Sequence, residues 1–222
     1  MSEHTGRRPS QEPPASSLGA SEEAVVDQRL LRGARTRRRI ARHGVDVASQ
    51  EGLEGLSIGR LATDLGLSKS GVQTLFKTKE NLQLAVAEAA RQAFTEAVVD
   101  PARGAPPGAA RLRALTEHWI VYAEAPLFAG GCFWAANLPE FDDRPGSVRD
   151  VLSLHRRAWQ ALLAGELRHA VETGEIAPCE PDLTAFQIDA VLHATNLALR
   201  LGEADAVSRV RRTVDGLLAP AR

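Results

Sequence analysis

The sequence is poor in cysteine and in aromatic residues. Its 222 residues include two cysteines, one tyrosine and three tryptophans, and aromatic residues make up 5% of the chain. Cys132 and Cys179 lie far apart, without a CxxC pair or a histidine at metal-ligand spacing, which argues against a disulfide scaffold and a zinc site. We expect no metal and no cofactor. A redox role for Cys132 would need a thiol of low pKa, which the sequence does not reveal.

Long apolar runs and secretory features are also missing. No uncharged apolar stretch approaches the ~18 residues that a membrane span needs. The N-terminal segment MSEHTGRRPSQEPP lacks the apolar centre of a signal peptide. We therefore expect a cytoplasmic protein that has no membrane partner. The chain is 44% hydrophobic and 25% charged, which is typical of a globular protein.

Charge is distributed unevenly, although the net charge is −1. Residues 29–80 contain eleven Lys or Arg and five Asp or Glu, whereas the residues from 81 onward contain fourteen and eighteen. This asymmetry indicates a segment that faces a polyanion, attached to an acidic body. Residues 1–28 are rich in Ser, Pro, Gly, Glu and Arg, and we expect them to form a disordered arm.

Helical periodicity dominates from residue 34 onward, and the near absence of strand alternation predicts an all-α fold. A first helix is predicted over 34–50, with Gly52 just beyond its end. The second and third helices begin at the N-caps Ser57 and Ser68, and a fourth begins at Thr78. Two short helices joined by a glycine corner, packed on a preceding helix, form a helix-turn-helix.

The third helix has one apolar side and one polar side. Its apolar side must pack inward, so its polar side is free to enter a DNA groove. The DNA contacts predicted on this helix are Lys69, Ser70, Gly71, Gln73, Thr74 and Lys77. Those predicted on the basic first helix and at the helix N-termini are Arg38, Arg39, Ser57, Arg60 and Lys79. Spacing alone would equally fit an ordinary helical corner with a solvated polar face.

The order LSIGRLATDLGLSKSGVQTLFKTKENLQLAV resembles the DNA-binding domain of the TetR/AcrR family of bacterial transcriptional regulators. The resemblance covers residues 34–85 and rests on the capped second helix, the GLSK entry to the third and the KTKENL start of the fourth. Members usually carry tyrosines at the positions of Gln73 and Leu75, so we expect a shifted operator preference. The resemblance implies a helix-turn-helix domain at 29–80 and a helical body at 81–222, which binds an effector and dimerises.

Residue patterns in the body are compatible with this organisation. Helices are predicted near 108–123, 126–138, 146–173, 181–201 and 203–218. The last two carry long apolar stripes, and the resemblance implies that they pair with a second copy in a homodimer, although burial in a monomer core is the alternative. Two reading heads in a dimer would require a pseudo-palindromic operator of double-stranded DNA.

Most aromatic residues lie between Trp119 and Trp159, and they define the predicted effector pocket. Its predicted residues are Trp119, Tyr122, Phe128, Cys132, Phe133, Trp134, Asn137, His155 and Trp159. Apolar walls with a few polar groups suit a small hydrophobic effector of unknown identity, and they suit a plain core equally well. For His155 in particular, both interpretations stay open.

These features predict a DNA-binding transcriptional regulator, and we expect a repressor that its effector releases from the operator. An activator, or a regulator without an effector, would show the same sequence features. An enzyme is a remote third alternative. His155 with Cys132 or Asp150 could perform acid-base or nucleophilic work, but no nucleophile elbow, metal set or phosphate loop accompanies them.

Overall fold

The computed structural model describes residues 17–125 and 127–220, and helices dominate them. The helices are α1 (Ser17–Glu51), α2 (Ile58–Asp64), α3 (Lys69–Phe76), α4 (Lys79–Phe94), α5 (Ala109–Glu124), α6 (Phe133–Asn137), α7 (Ser147–Glu172), α8 (Pro181–Arg200) and α9 (Ala206–Leu217), with a 3-10 turn at Pro139–Phe141. No strand occurs in these two ranges, and the predicted all-α class is confirmed. None of the described helices is both long enough and apolar enough to cross a membrane.

The chain divides into two units, residues 1–36 and residues 37–222. In the first unit, α1 begins at Ser17, well inside the segment 1–28 for which the composition predicted a disordered arm. The stretch SLGASEEAVVDQRLL contains no proline and many residues of good helix propensity, which explains the earlier start. The rest of the predicted arm, residues 1–16, lies outside the described residues.

In the second unit, α2, α3 and α4 each begin at the predicted residue. Ser57, Ser68 and Thr78 have extended backbones, and each side-chain oxygen accepts a hydrogen bond of 3.1 Å from the backbone N–H three residues later. Such caps stabilise a helix by about 1 kcal/mol each because they satisfy an otherwise unpaired donor. Gly52 follows α1 with a φ of 78°, as a C′ glycine should.

The helix predicted over 126–138 is wrong in extent, since only α6 is helical among residues 127–138. Gly131 has a φ of 88°, which an α-helix cannot accommodate. A Cβ atom at Gly130 would lie 2.0 Å from the carbonyl oxygen of Ser49, and the Gly130 N–H donates to Ser49 Oγ at 2.8 Å. This segment is not helical because it packs closely against the backbone at the end of α1.

α4 does not stop at Phe94 but continues through a π-helical turn, Thr95–Val99, and a short turn, Asp100–Ala102. π-turns occur frequently at functional sites, because the extra residue redirects the side chains around it. α4 packs against α7, and its π-turn packs against α5. α8 packs between α7 and α9, so α4, α5, α7, α8 and α9 form the helical body.

Candidate functional site

The polar side of α3 faces outward, as the sequence predicts. Val72 and Phe76 are each 1% exposed and anchor the helix in the core. Ser57 and Gly71, two further predicted DNA contacts, are exposed. The exposed polar residues of α3 and its C-cap form a surface that we call the reading face: Lys69, Ser70, Gln73, Thr74 and Lys77.

Two side chains of the reading face bind their own helix. Thr74 Oγ1 donates to the carbonyl oxygen of Ser70 at 2.9 Å, and Gln73 Nε2 donates to the carbonyl oxygen of Lys77. Lys77 is the one non-glycine residue with a positive φ, 65°, in the described part of the chain. The Gln73 amide therefore supports an unusual helix end with one of its two N–H groups, and its second N–H and its Oε1 remain as possible partners for a base.

Two of the predicted phosphate contacts are held by carboxylates. The Arg60 guanidinium forms a bidentate pair with Glu51, in which Nη2 and Oε1 are 2.8 Å apart. Lys79 Nζ donates to the Glu54 carbonyl oxygen at 2.7 Å and to its carboxylate at 3.0 Å. These hydrogen bonds are the main reason that the pKa values of Glu51 and Glu54 are lowered. Phosphate binding by Arg60 and Lys79 stays a prediction, and it would require exchange of an internal carboxylate for a phosphate.

The arginines near the middle of α1 differ in the contacts that their guanidinium groups make. Arg38 is exposed, and it pairs with no carboxylate among the described residues. Arg39 Nη2 donates to the carbonyl oxygen of Leu65, at the end of α2, over 3.3 Å. The guanidinium of Arg37 lies 4.9 Å from the centre of the Phe76 ring, so this arginine packs on α3. Of the two predicted phosphate contacts on this helix, only Arg39 donates a hydrogen bond to another described residue, and neither forms an ion pair with a described carboxylate.

A cavity of about 330 Å³ lies within the helical body. Its aromatic walls come from four helices, and Phe94 lies at their centre. The Phe94 ring centroid is 5.1 Å from that of Trp134 and 5.3 Å from those of Tyr122 and Trp159, with the rings steeply inclined to one another. Such edge-to-face contacts add to the stability of an aromatic cluster beyond the burial of its area. The charged residues and histidines of the lining are Arg91, Arg103, His155, Arg156, Asp189 and His193, and Thr95 adds a hydroxyl group.

The predicted pocket residues divide into two groups. Those that line the cavity are Trp119, Cys132, Trp134, His155 and Trp159. The other four lie outside the lining, where they have structural contacts. Tyr122 Oη accepts a hydrogen bond of 3.1 Å from the backbone N–H of Phe133, and Phe128 lies under the guanidinium of Arg42 at 5.0 Å. Asn137 is fully buried against the end of α1.

Burial controls the titration of the groups around the cavity. It raises the pKa of the Cys132 thiol and of the Tyr122 hydroxyl, so neither group ionises readily. The thiolate that nucleophilic or redox chemistry requires is therefore disfavoured at Cys132. Burial lowers the pKa of His155 and His193, which favours neutral imidazoles. Within the described residues, no cluster of His, Cys, Asp or Glu could hold a metal ion.

Two buried polar atoms of the lining have no hydrogen-bond partner among the described residues. They are Nε1 of Trp134 and Nδ1 of His155. Trp134 is 8% exposed, and the side chain of His155 is 9% exposed. Buried polar groups in native proteins nearly always have a hydrogen-bond partner. Two unpartnered polar atoms on residues of one cavity lining therefore indicate a place where a bound molecule would supply the missing partners.

Asn137 connects α6 to the chain segment between α1 and α2. Its Oδ1 accepts from the backbone N–H of Leu53 at 2.7 Å, and its Nδ2 donates to the carbonyl oxygens of Ala48 at 3.2 Å and Phe133 at 2.7 Å. Trp134, three residues earlier on the same helix, lines the cavity. α6 therefore contacts both the cavity and the entrance to the helix-turn-helix.

Comparison with known proteins identifies this arrangement. The family described as tetracyclin repressor-like, C-terminal domain, matches residues 108–214. A TetR transcriptional regulator from Chloroflexus aurantiacus J-10-fl superposes with a TM-score of 0.75 at 23% identity, over 84% of this chain and 94% of that chain. Residues 108–214 therefore match a TetR-related family, and the chain has the fold of the TetR transcriptional regulators, as the sequence resemblance predicted.

Two further TetR-fold structures are similar over most of their length. AibR in complex with isovaleryl coenzyme A and operator DNA is 20% identical, with a TM-score of 0.66, over 83% of this chain and 100% of that chain. A protein from Saccharomonospora viridis in complex with choline is 19% identical, with a TM-score of 0.69, over 82% of this chain and 95% of that chain. No curated protein matches the chain. At these identities the likeness shows the fold.

Several cavity residues escaped the sequence analysis, and Phe94 is the most central of them. A signal for it exists, because Leu82, Val86, Ala90 and Phe94 recur every four residues and are all buried on α4. This stripe predicts that the end of α4 is packed within the body. The cavity-lining Asp189 had no comparable signal, since a charged residue within an apolar helix is usually exposed.

Proposed function

We propose that this chain is a transcriptional repressor, which binds a pseudo-palindromic operator as a homodimer and leaves it when a small effector fills the cavity. The observation that carries the proposal is the course of α4. It begins at Lys79, two residues after the reading face, and it reaches the aromatic cavity at Phe94. One helix of about 24 Å thus links a DNA-binding surface to a ligand-sized cavity.

The chemistry of the reading face supports operator binding. Lysine and amide side chains are the usual partners of guanine and adenine edges in the major groove, and a threonine methyl group suits thymine. Lys69, Gln73 and Thr74 provide these groups on one exposed face. The fold-related AibR is bound to operator DNA in its structure, which is compatible with this use of the fold.

Exposed apolar side chains of α8 support homodimerisation through α8 and α9, the helices that the sequence analysis places near 181–201 and 203–218. Leu183, Phe186 and Leu197 on α8, and Leu201 at its C-cap, are between 50% and 70% exposed. Large exposed apolar residues clustered on one helix mark an interaction surface. A second copy of the chain would cover them, and the two reading faces would then meet two half-sites about one helical turn apart.

Release of the DNA by an effector would act through two connections between the cavity and the helix-turn-helix domain. α4 supplies the first, and the hydrogen bonds of Asn137 to Ala48 and Leu53 supply the second. An effector that binds better to a state in which α4 or α6 is displaced would lower operator affinity, because it shifts the population toward that state.

DNase footprinting on the DNA upstream of the chain's own coding sequence tests the proposal. We expect two protected half-sites with centres about one helical turn apart, at moderate salt and in excess non-specific competitor. The double variant Lys69→Ala, Gln73→Ala should lose the footprint. Arg149→Ala, which removes an exposed cation from α7, is the matched control and should keep it. An unprotected fragment, or equal protection by the double variant, would refute the proposal.

A thermal-shift screen of a small-molecule library tests the effector part. A ligand at ~100 times its Kd stabilises the folded chain by about 2.7 kcal/mol, which is readily detected. Compounds that raise the melting temperature should also remove the footprint. Stabilising compounds that bind in the cavity but leave the footprint intact would show that the cavity does not control DNA binding.

A further inference from the structure

The lining of the cavity indicates which class of compound binds there, and this inference rests on the proposed role of the cavity as the effector site. We propose that the effector is an organic carboxylate with an apolar ring-containing body. The carboxylate lies against Trp134 and His155, and the apolar body lies between Phe94, Trp119 and Trp159.

The orphaned indole N–H of Trp134 requires a hydrogen-bond acceptor on the ligand. An indole nitrogen can donate but cannot accept, so its missing partner is an oxygen or another acceptor atom. His155 lies beside it, with a distance of 6.4 Å between the two ring centroids. Its Nδ1 is equally unpartnered, and it donates when the proton is on that nitrogen or when the ring is charged. His155 Nε2 lies 4.0 Å from a Glu88 carboxylate oxygen, so a charged His155 ring could keep that contact and donate through Nδ1 to the same ligand carboxylate as the indole N–H.

The charges of the lining favour an anion over a cation. Arg91, Arg103 and Arg156 reach the cavity, whereas Glu88 and Asp100, the carboxylate partners of the first two, do not belong to the lining. The cavity therefore presents the positive ends of these pairs to a ligand. A positively charged enclosure attracts anions and repels cations.

The acidic residue of the lining is already neutralised. Asp189 is 1% exposed, and its carboxylate accepts from Arg156 Nε at 3.1 Å and from Gln160 Nε2 at 2.8 Å. His193 Nε2 lies 3.7 Å from the other carboxylate oxygen. Aromatic walls alone would also suit a quaternary ammonium ion, since such ions bind to ring faces. With Asp189 engaged by Arg156, and with Arg91 and Arg103 also in the lining, that cation would lack a counter-charge here.

The test uses the full chain and three probes that share a naphthalene body and differ in the polar group. The probes are 2-naphthylacetate, 2-(2-naphthyl)ethanol and (2-naphthylmethyl)trimethylammonium, and isothermal titration calorimetry measures their dissociation constants. We expect the carboxylate to bind at least about tenfold more tightly than either other probe, because a hydrogen bond to a charged group is stronger than a neutral one. The proposal is overturned if the alcohol or the ammonium ion binds as tightly, or if none of the three binds.

Two matched variants locate the polar contact. Trp134→Phe keeps an aromatic wall but removes the orphaned N–H, and it should weaken carboxylate binding by about tenfold while it changes ammonium binding little. Trp159→Phe makes the same chemical change elsewhere on the wall, and it should affect all three probes alike. Equal effects of both variants on the carboxylate would contradict the assignment. Thermal unfolding of each variant verifies that it is folded.

A footprint measured without any of the three probes distinguishes a failure of this inference from a failure of the proposed function. A chain that protects operator DNA but prefers another probe retains its regulatory function and lacks only the carboxylate specificity. A chain that binds 2-naphthylacetate through Trp134 but protects no operator fragment would instead refute the proposed function and leave the ligand class standing.

Discussion

Asn137→Ala should destabilise the protein more than a typical polar substitution. Asn137 is fully buried, and its amide forms three hydrogen bonds to the backbone. The carbonyl oxygen of Ala48 also accepts from Gly52 N–H at 3.1 Å, so it keeps a partner after the truncation. The N–H of Leu53, in contrast, would be left buried without an acceptor.

The magnitude follows from these contacts. A buried donor without a partner costs about 1–3 kcal/mol, and the lost amide volume adds a smaller cavity cost. We expect the free energy of unfolding to fall by about 2–4 kcal/mol, a large part of the 5–15 kcal/mol of a typical domain. Urea denaturation followed by tryptophan fluorescence and by circular dichroism measures this change through the transition midpoint.

Asn81→Ala is the matched control, because Asn81 is exposed in the first turn of α4. Its effect should stay within about 0.5 kcal/mol. A change below about 1 kcal/mol for Asn137→Ala would refute the reasoning, since it would mean that another group or a water molecule satisfies Leu53 N–H. If Asn137→Ala lowers the stability but an effector still releases the operator, then α6 supports the helix-turn-helix domain without coupling it to the cavity.

Three further predictions concern packing, protonation and assembly. Gly130→Ala should lower the melting temperature by several degrees because its Cβ would lie 2.0 Å from a backbone oxygen, whereas Gly165→Ala, with no atom within 4 Å, should raise it slightly. His155 has a lowered pKa in the folded state, so the unfolding free energy should fall as pH drops below about 6.5, where the unfolded ring gains a proton, and His155→Gln should reduce that fall. Leu197→Glu should dissociate a homodimer in sedimentation velocity, whereas Leu154→Glu, at a comparably exposed site on α7, should not. A dimer that survives the first substitution would exclude this face of α8 as the interface.

The parts of the fold that depend on local chemistry were predictable. Ser57, Ser68 and Thr78 cap helices because their side chains bond to the backbone three residues later, a relation contained in any short window of sequence. For Gly44, inside α1, the sequence is compatible with either close packing or a soft helix, and the structure shows close packing. A Cβ there would lie 2.6 Å from Val86 Cγ2.

The parts that depend on distant segments were not predictable. The helix expected over 126–138 is interrupted because Gly130 packs on the backbone of Ser49, 81 residues earlier in the chain. The pairing of Lys79 with Glu54 likewise joins the start of α4 to the segment between α1 and α2, which a periodicity argument treats separately. The prediction that Lys79 is a ready phosphate contact omitted this competitor.

The candidate pocket shows the same limit at the level of single residues. An aromatic cluster between Trp119 and Trp159 was visible in the sequence, but composition could not separate residues that line a cavity from residues behind it. The backbone N–H of Phe133 donates to Tyr122 Oη behind the cavity wall. Phe94 comes from α4, for which the sequence analysis specified only the start, at Thr78. Side-chain direction in a helical body depends on the crossing of several helices, which spacing along one helix does not specify.

The dissociation constant for a 30-base-pair fragment that contains the footprinted half-sites tests the central claim most directly. Fluorescence anisotropy of the full chain, compared with a scrambled fragment at the same salt concentration, should give a specific affinity at least about a thousandfold above the non-specific one. The double variant Lys69→Ala, Gln73→Ala should lose most of that ratio, while Arg149→Ala keeps it. Equal affinity for both fragments, or a ratio unchanged by the double variant, would contradict the account that this chain reads an operator through α3.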